Sequence, residues 1–135
     1  MFYNRDMNSN ELIDYNNRQS DEQKRICEIL MSEITTALPE ATSKLYHASP
    51  VWFIDGNPIV GYNVNKGYVQ LLFWSGQSFG DSRLRPQGKF KAAGVSYGVI
   101  EALNIYTLRA WLKKSATIQW DYKNLVSRGG ELRTI

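Results

Sequence analysis

Histidine occurs once and cysteine once in the 135 residues, at His47 and Cys27. A lone cysteine excludes an internal disulfide and suits a reducing compartment, so the expected location is cytoplasmic. One histidine and one cysteine cannot make the cluster that a zinc site needs, and no metal site built on them is expected. Long apolar runs are also missing. The longest uncharged stretch, residues 67–80, has 14 residues and includes Gln70, Ser75, Gln77 and Ser78. A membrane-spanning helix takes about 20 apolar residues. Near the start, Asn4, Arg5, Asp6, Asn8 and Asn10 break up any secretory apolar segment, so no membrane partner is expected.

Motifs of catalysis are absent as well. In residues 74–94, WSGQSFGDSRLRPQGKFKAAG, Gly88-Lys89 is followed by Phe90 where a phosphate-cradling P-loop needs Ser or Thr, and its first glycine position holds Arg83. Ser96 sits in VSYG, which is not a nucleophile elbow. With no nucleophile–base pair to assemble, the expectation is a non-enzymatic protein that needs no cofactor. A stretch of this length reads as a solvated connection between strands, or as a basic, anion-friendly flap carrying Arg83, Lys89 and Lys91.

What is present is a folded composition: 43% hydrophobic, 13% aromatic and four tryptophans. The net charge of +3 hides an asymmetry, since residues 11–40 carry seven acids against Arg18, Lys24 and Arg25. The basic remainder is too modest to predict nucleic acid as a partner, and no basic stripe accompanies it. Without a linker or internal repeat, residues 1–135 read as a single domain with its core over about 9–128 and short flexible tails.

Asn8 and Glu11 have capping-box spacing and predict a short helix from about residue 8. Ser20 and Gln23 predict a second capping box, after which Ile26, Leu30, Ile34 and Leu38 repeat at helical spacing until Pro39. SKLYHAS, VWFI, IVGYNV and YVQLLFW then read as strands. Asp55-Gly56-Asn57-Pro58 and Asn65-Lys66-Gly67 are turn signals between them, and GVSYGVI is a further strand. Asn104 is the predicted N-cap of a helix carrying Ile105, Leu108, Trp111 and Leu112. Another helix is predicted from Thr117, with Ile118, Tyr122, Leu125 and Val126 on one face and Gly129-Gly130 at its end. The fold class is therefore α+β: an antiparallel β-meander with N-terminal and C-terminal helices packed on one face.

In YVQLLFW, Val69, Leu71 and Phe73 alternate onto one face, leaving Tyr68, Gln70, Leu72 and Trp74 on the other. That second face is too apolar to stand in water uncovered, so the flap, a second subunit or a ligand is expected to cover it. The candidate site is an aromatic groove around Trp52 and Trp74. His47, Pro50 and Tyr68 line it and Arg83, Lys89 and Lys91 roof it, for a small, anionic ligand or a protein partner, with a homodimer as the competing use. In this reading Trp52 is dispensable for folding, and His47 is a surface or satisfied side chain rather than a catalyst. Cys27, on the face of Leu30 and Ile34, is an inert thiol.

The segment PEATSKLYHASPVWFIDGNPIVGYNVNKGYVQLLFW, with Pro39, Tyr46, Pro50, Trp52 or Phe53 and the Gly56-Asn57-Pro58 turn, resembles the YdhG-like family of small bacterial domains. GKFKAAGV followed by a C-terminal helix is similar to that family too, and the resemblance covers about residues 9–128. It implies a curved antiparallel sheet with helices against one face. Some members are described as frataxin-like iron chaperones. That role implies iron delivery through surface acids, here Glu11, Asp14, Asp21 and Glu22, and is the alternative to a ligand- or partner-binding module.

Overall fold

The computed structural model describes residues 3–135. Helix α1 (Tyr3–Asn17) starts well before the predicted cap: no Gly or Pro interrupts residues 3–10, so Asn8 lies inside the helix instead of starting it. Helix α2 (Asp21–Ala37) buries Ile26, Cys27, Leu30 and Ile34, as its four-residue repeat predicts, and ends where Leu38 N–H donates to the Ile34 carbonyl. Its N-terminus differs from a capping box. Ser20 makes no cap bond to the backbone; its hydroxyl donates to Gln23 Oε1, while Gln23 Nε2 donates to the Asn65 carbonyl. A tertiary acceptor has taken the glutamine that a local box would use.

Six strands follow: β1 (Thr42–Tyr46), β2 (Ser49–Ile54), β3 (Asn57–Asn65), β4 (Tyr68–Phe73), β5 (Arg85–Pro86) and β6 (Ala93–Tyr97). They form one antiparallel sheet in the order β1-β2-β3-β4-β6-β5, so the class is α+β. Asp55 (φ 50) and Gly56 (φ 80) turn the β2–β3 hairpin alone, and Asn57 and Pro58 already belong to β3. Register shifts there: Trp52 faces Val60 while Phe53 faces Pro58, so Ile59 is an extra residue on β3. Such a bulge also accommodates a proline, which has no N–H for the ladder.

Residues 75–92 connect β4 to β6 with residues 82, 83 and 85–89 exposed, but the segment is pinned to the core rather than free. A 3-10 turn (Gly76–Phe79) places Phe79 5.3 Å from Phe73, ring centre to ring centre, and Phe79 and Leu84 are both buried. Gln77 closes the segment on itself, donating from its backbone to the Lys91 carbonyl and from its side chain to those of Phe90 and Ala92. Apolar residues five apart match neither a helical nor a strand period, and this hid their burial in the sequence.

Helix α3 (Ile105–Ser115) is capped by Asn104, whose Oδ1 accepts from the Tyr106 and Thr107 N–H groups, both at 3.0 Å. The helix predicted from Thr117 does not form. Buried Asn57 draws that backbone to itself: its Oδ1 accepts from Tyr122 and Lys123 N–H, and its Nδ2 donates to Gln119 Oε1 and the Trp120 carbonyl. Residues near the C-terminus pair back, with Trp120 opposite Thr134 and Asp121 N–H donating to the Arg133 carbonyl. Val126, expected on an apolar face, is 91% exposed.

One buried cluster joins Leu12 and Tyr15 of α1, the apolar side of α2, and Leu108, Trp111 and Leu112 of α3. From the sheet it takes Trp52, Val60, Tyr62, Val69, Leu71, Phe73, Ala93 and Tyr97. No described helix is long and apolar enough to cross a membrane.

Candidate binding groove

Strand alternation leaves Ser49, Val51 and Phe53, Gly61 and Asn63, and Gln70, Leu72 and Trp74 on the sheet face opposite that cluster. Val51 and Phe53 are buried yet lie outside the core cluster, so this face has cover of its own. Tyr46 supplies part of it. Its ring stands edge-on to Phe53 at 5.4 Å and against the His47 imidazole at 4.2 Å, while Lys44 Nζ sits 5.0 Å from the centre of the Phe53 ring.

A groove of about 180 Å³ opens beside these rings, walled by Tyr46, His47 and Trp74, with Ser49, Val51, Gly61, Asn63 and Leu72 also lining it. Its floor is backbone where Gly61 stands. A Cβ there would lie 2.6 Å from the Pro50 carbonyl oxygen and 2.9 Å from Val51 Cγ2, which excludes every other residue. Along the same cross-strand row, Gly61 faces Leu72 and Leu72 faces Gly94, so Leu72 stands between two positions without side chains. His47 enters from the β1–β2 turn, where His47 (φ 51) and Ala48 (φ 66) both occupy the left-handed region. Non-glycine residues held there store about 1 kcal/mol or more each, a strain that concentrates at ligand clamps.

No Asp, Glu, Lys or Arg lines the groove. Its polar groups are largely unengaged. The Trp111 and Trp120 indoles donate to Asp81 Oδ2 and Ser78 Oγ, whereas Trp74 Nε1 has no acceptor among the described residues. Asn63 Oδ1 accepts from Asn65 Nδ2, and the Asn63 NH₂ group has no acceptor among the described residues.

Of the residues expected at this site, His47, Pro50 and Trp74 do come together. Trp52 does not: it is 2% exposed and packs on Tyr62 at 5.9 Å, because adjacent residues of β2 point to opposite faces and it is Val51 and Phe53, not Trp52 and Ile54, that take the outer one. Tyr68 stands at the start of β4 opposite Asn65, half exposed and beyond the groove. Arg83 is committed elsewhere. It pairs with Asp81 at 2.6 Å, donates to Thr107 Oγ1 and stacks on Trp111, beside α3. Lys89 lies over Phe90 and Lys91 over Trp120, so no basic roof forms. The sequence reading missed Tyr46, Ser49, Val51, Gly61 and Asn63, and placed Leu72 on this face without naming it a site residue. A glycine in the middle of IVGYNV was the one signal that could have found the floor.

The acids of the iron reading do not converge. Glu11 and Asp14 are exposed on α1, Asp21 and Glu22 open α2, and Glu22 Oε2 accepts from the Ile100 N–H. Among the described residues, no three His, Cys, Asp or Glu side chains gather to hold a metal ion. Burial pushes the Cys27 thiol up to about 12, so it stays protonated and unreactive. Two larger hollows flank α2, about 290 Å³ beside Ile13 and Met31 and about 370 Å³ beside Arg25, Ile100 and Ile105. Both are more open to solvent than the sheet groove. In them Asn16 accepts from the Tyr62 hydroxyl and Glu33 receives two bonds from Arg109, while Glu28 and Ser32, which line both, have no side-chain partner among the described residues.

Comparison with protein-family models, with curated proteins and with solved structures finds no match to this chain.

Proposed function

We propose that this chain is a non-enzymatic, cytoplasmic binding module of the YdhG-like kind, and that it holds a small uncharged ligand in the groove of its outer sheet face. The observation that carries this reading is the groove's lining: aromatic walls, a bare glycine floor, and Trp74 and Asn63 N–H groups with no partner among the described residues. A non-enzymatic role is supported by the same lining. His47 and Ser49 share the rim without a hydrogen bond between them, and no carboxylate stands by to orient the imidazole. The anionic ligand suggested by a basic flap loses its support, because Arg83, Lys89 and Lys91 are elsewhere.

Native mass spectrometry of the freshly purified chain tests the reading. The expected result is a monomer carrying a small adduct, with occupancy reduced at least tenfold by Trp74→Ala. A clean dimer with nothing bound, separated into monomers by Trp74→Ala, would instead assign the groove to a subunit interface.

A further inference from the structure

Building on that binding-module reading, we infer that the groove takes an uncharged planar ring carrying two carbonyl-type acceptors, of the size and chemistry of a free pyrimidine base, without a phosphate. Size comes first. The groove's volume of about 180 Å³ compares with roughly 150 Å³ for a cavity that holds one benzene ring. It falls below the approximately 300 Å³ at which drug-sized pockets begin. The groove encloses about one ring, and a nucleotide would leave its sugar and phosphate outside it.

Shape and charge agree with this. Tyr46, His47 and Trp74 offer ring surfaces, and Gly61 leaves flat backbone between the walls, a slot for a planar group. Phosphate recognition needs Arg or Lys forks or a helix N-terminus, and the lining has neither a charged side chain nor a helical residue.

Hydrogen-bond polarity then selects within planar rings. An indole N–H can only donate, so Trp74 asks for an acceptor. The Asn63 NH₂ group has no acceptor among the described residues, and one lone pair of its oxygen is already taken by Asn65, so this side chain too is short chiefly of an acceptor. A ring without acceptors would bury both donors unpaired, and a ring with two carbonyl oxygens would satisfy both. Ser49, His47 and the Tyr46 hydroxyl can each donate or accept, so they adapt to the ligand's remaining edge.

The experiment titrates the full chain, ¹⁵N-labelled, with uracil, benzene, N-methylacetamide and uridine monophosphate, and follows the Trp74 indole N–H and Asn63 NH₂ resonances. Uracil is expected to shift both and to bind at least tenfold more tightly than benzene or N-methylacetamide, and uridine monophosphate no more tightly than uracil. Asn63→Asp, which replaces the donor by an acceptor of the same shape, and Trp74→Phe, which keeps a ring but loses the N–H, are each expected to weaken uracil at least tenfold. Equal affinity for benzene and uracil, or uracil binding unchanged in both variants, overturns the inference and leaves the binding module standing. If no probe shifts either resonance while the purified chain carries a Trp74-dependent adduct, the ligand class is wrong. If that adduct is missing too, the module reading falls with it.

Discussion

Trp52 and Trp74 differ in exposure because they lie on opposite faces of one sheet. The Trp52 indole is sealed against Tyr62, whose hydroxyl donates to Asn16 Oδ1 at 2.6 Å, and Tyr15 stands edge-on to the same tyrosine at 6.2 Å. Burial pushes the Tyr62 hydroxyl well above its ordinary range, which keeps it a donor at every physiological pH. Removing Trp52 therefore opens a cavity in the main core. Trp52→Ala is expected to destabilise the chain by about 3–5 kcal/mol, seen as a lower urea midpoint with loss of the native near-ultraviolet signal. Retention of the wild-type midpoint would show that the indole is not core. Trp74 is only partly buried and outside the cluster, so its truncation acts on the groove.

At the scale of elements, two helix starts that look alike in sequence differ in mechanism. Asn104 accepts from two backbone N–H groups, while Ser20 accepts from none. Asn104→Ala should cost about 1 kcal/mol, the ordinary value of a lost N-cap. Ser20→Ala, which loses only an exposed bond to Gln23, should fall within about 0.5 kcal/mol of the parent. Chemical denaturation of both variants decides the matter, and equal losses would contradict this assignment. Asp21 and Glu22 in the first turn of α2 give that helix end a favourable charge without a cap.

Across the whole molecule, two carboxylates join separate segments and a third fixes the turns near the C-terminus. Asp81 is held far below its ordinary 3.8 by the Arg83 guanidinium, then by the Arg83 backbone N–H and the Trp111 indole, which fastens the β4–β6 connection to α3. Glu33 is held below 4.5 by the Arg109 guanidinium, which ties α2 to α3. Asp121 is held below 3.8 by the Asn124 amide and by Arg128. Each folded-state value lies below the unfolded one, so the stabilisation is complete above the ordinary carboxylate range and drains away as pH falls through the folded values. The urea midpoint is expected to be flat from about pH 7 to 5 and to decline steadily below about pH 4. A midpoint unchanged down to pH 2 would show that these pairs contribute nothing to stability.

Much of this architecture was legible in the chain itself. The repeat of Ile26, Leu30 and Ile34, the Asp55-Gly56 turn, the alternation of Val69, Leu71 and Phe73 and the Asn104 cap are local patterns, and local backbone preference with one-sided burial is enough to realise them. Periodicity also showed that the second sheet face is too apolar to stand bare. It could not show which residues meet there, because register across strands and the bulge at Ile59 bring Tyr46, Gly61, Asn63 and Trp74 together from β1, β3 and the end of β4. The C-terminal turns were equally invisible. Thr117 to Val126 has helical spacing, but the four hydrogen bonds of Asn57 outweigh a marginal helix, and that asparagine lies more than 60 residues away in the chain. Local pattern thus specifies the elements, and long-range pairing of backbone and side chains decides where the groove lies and what it can hold.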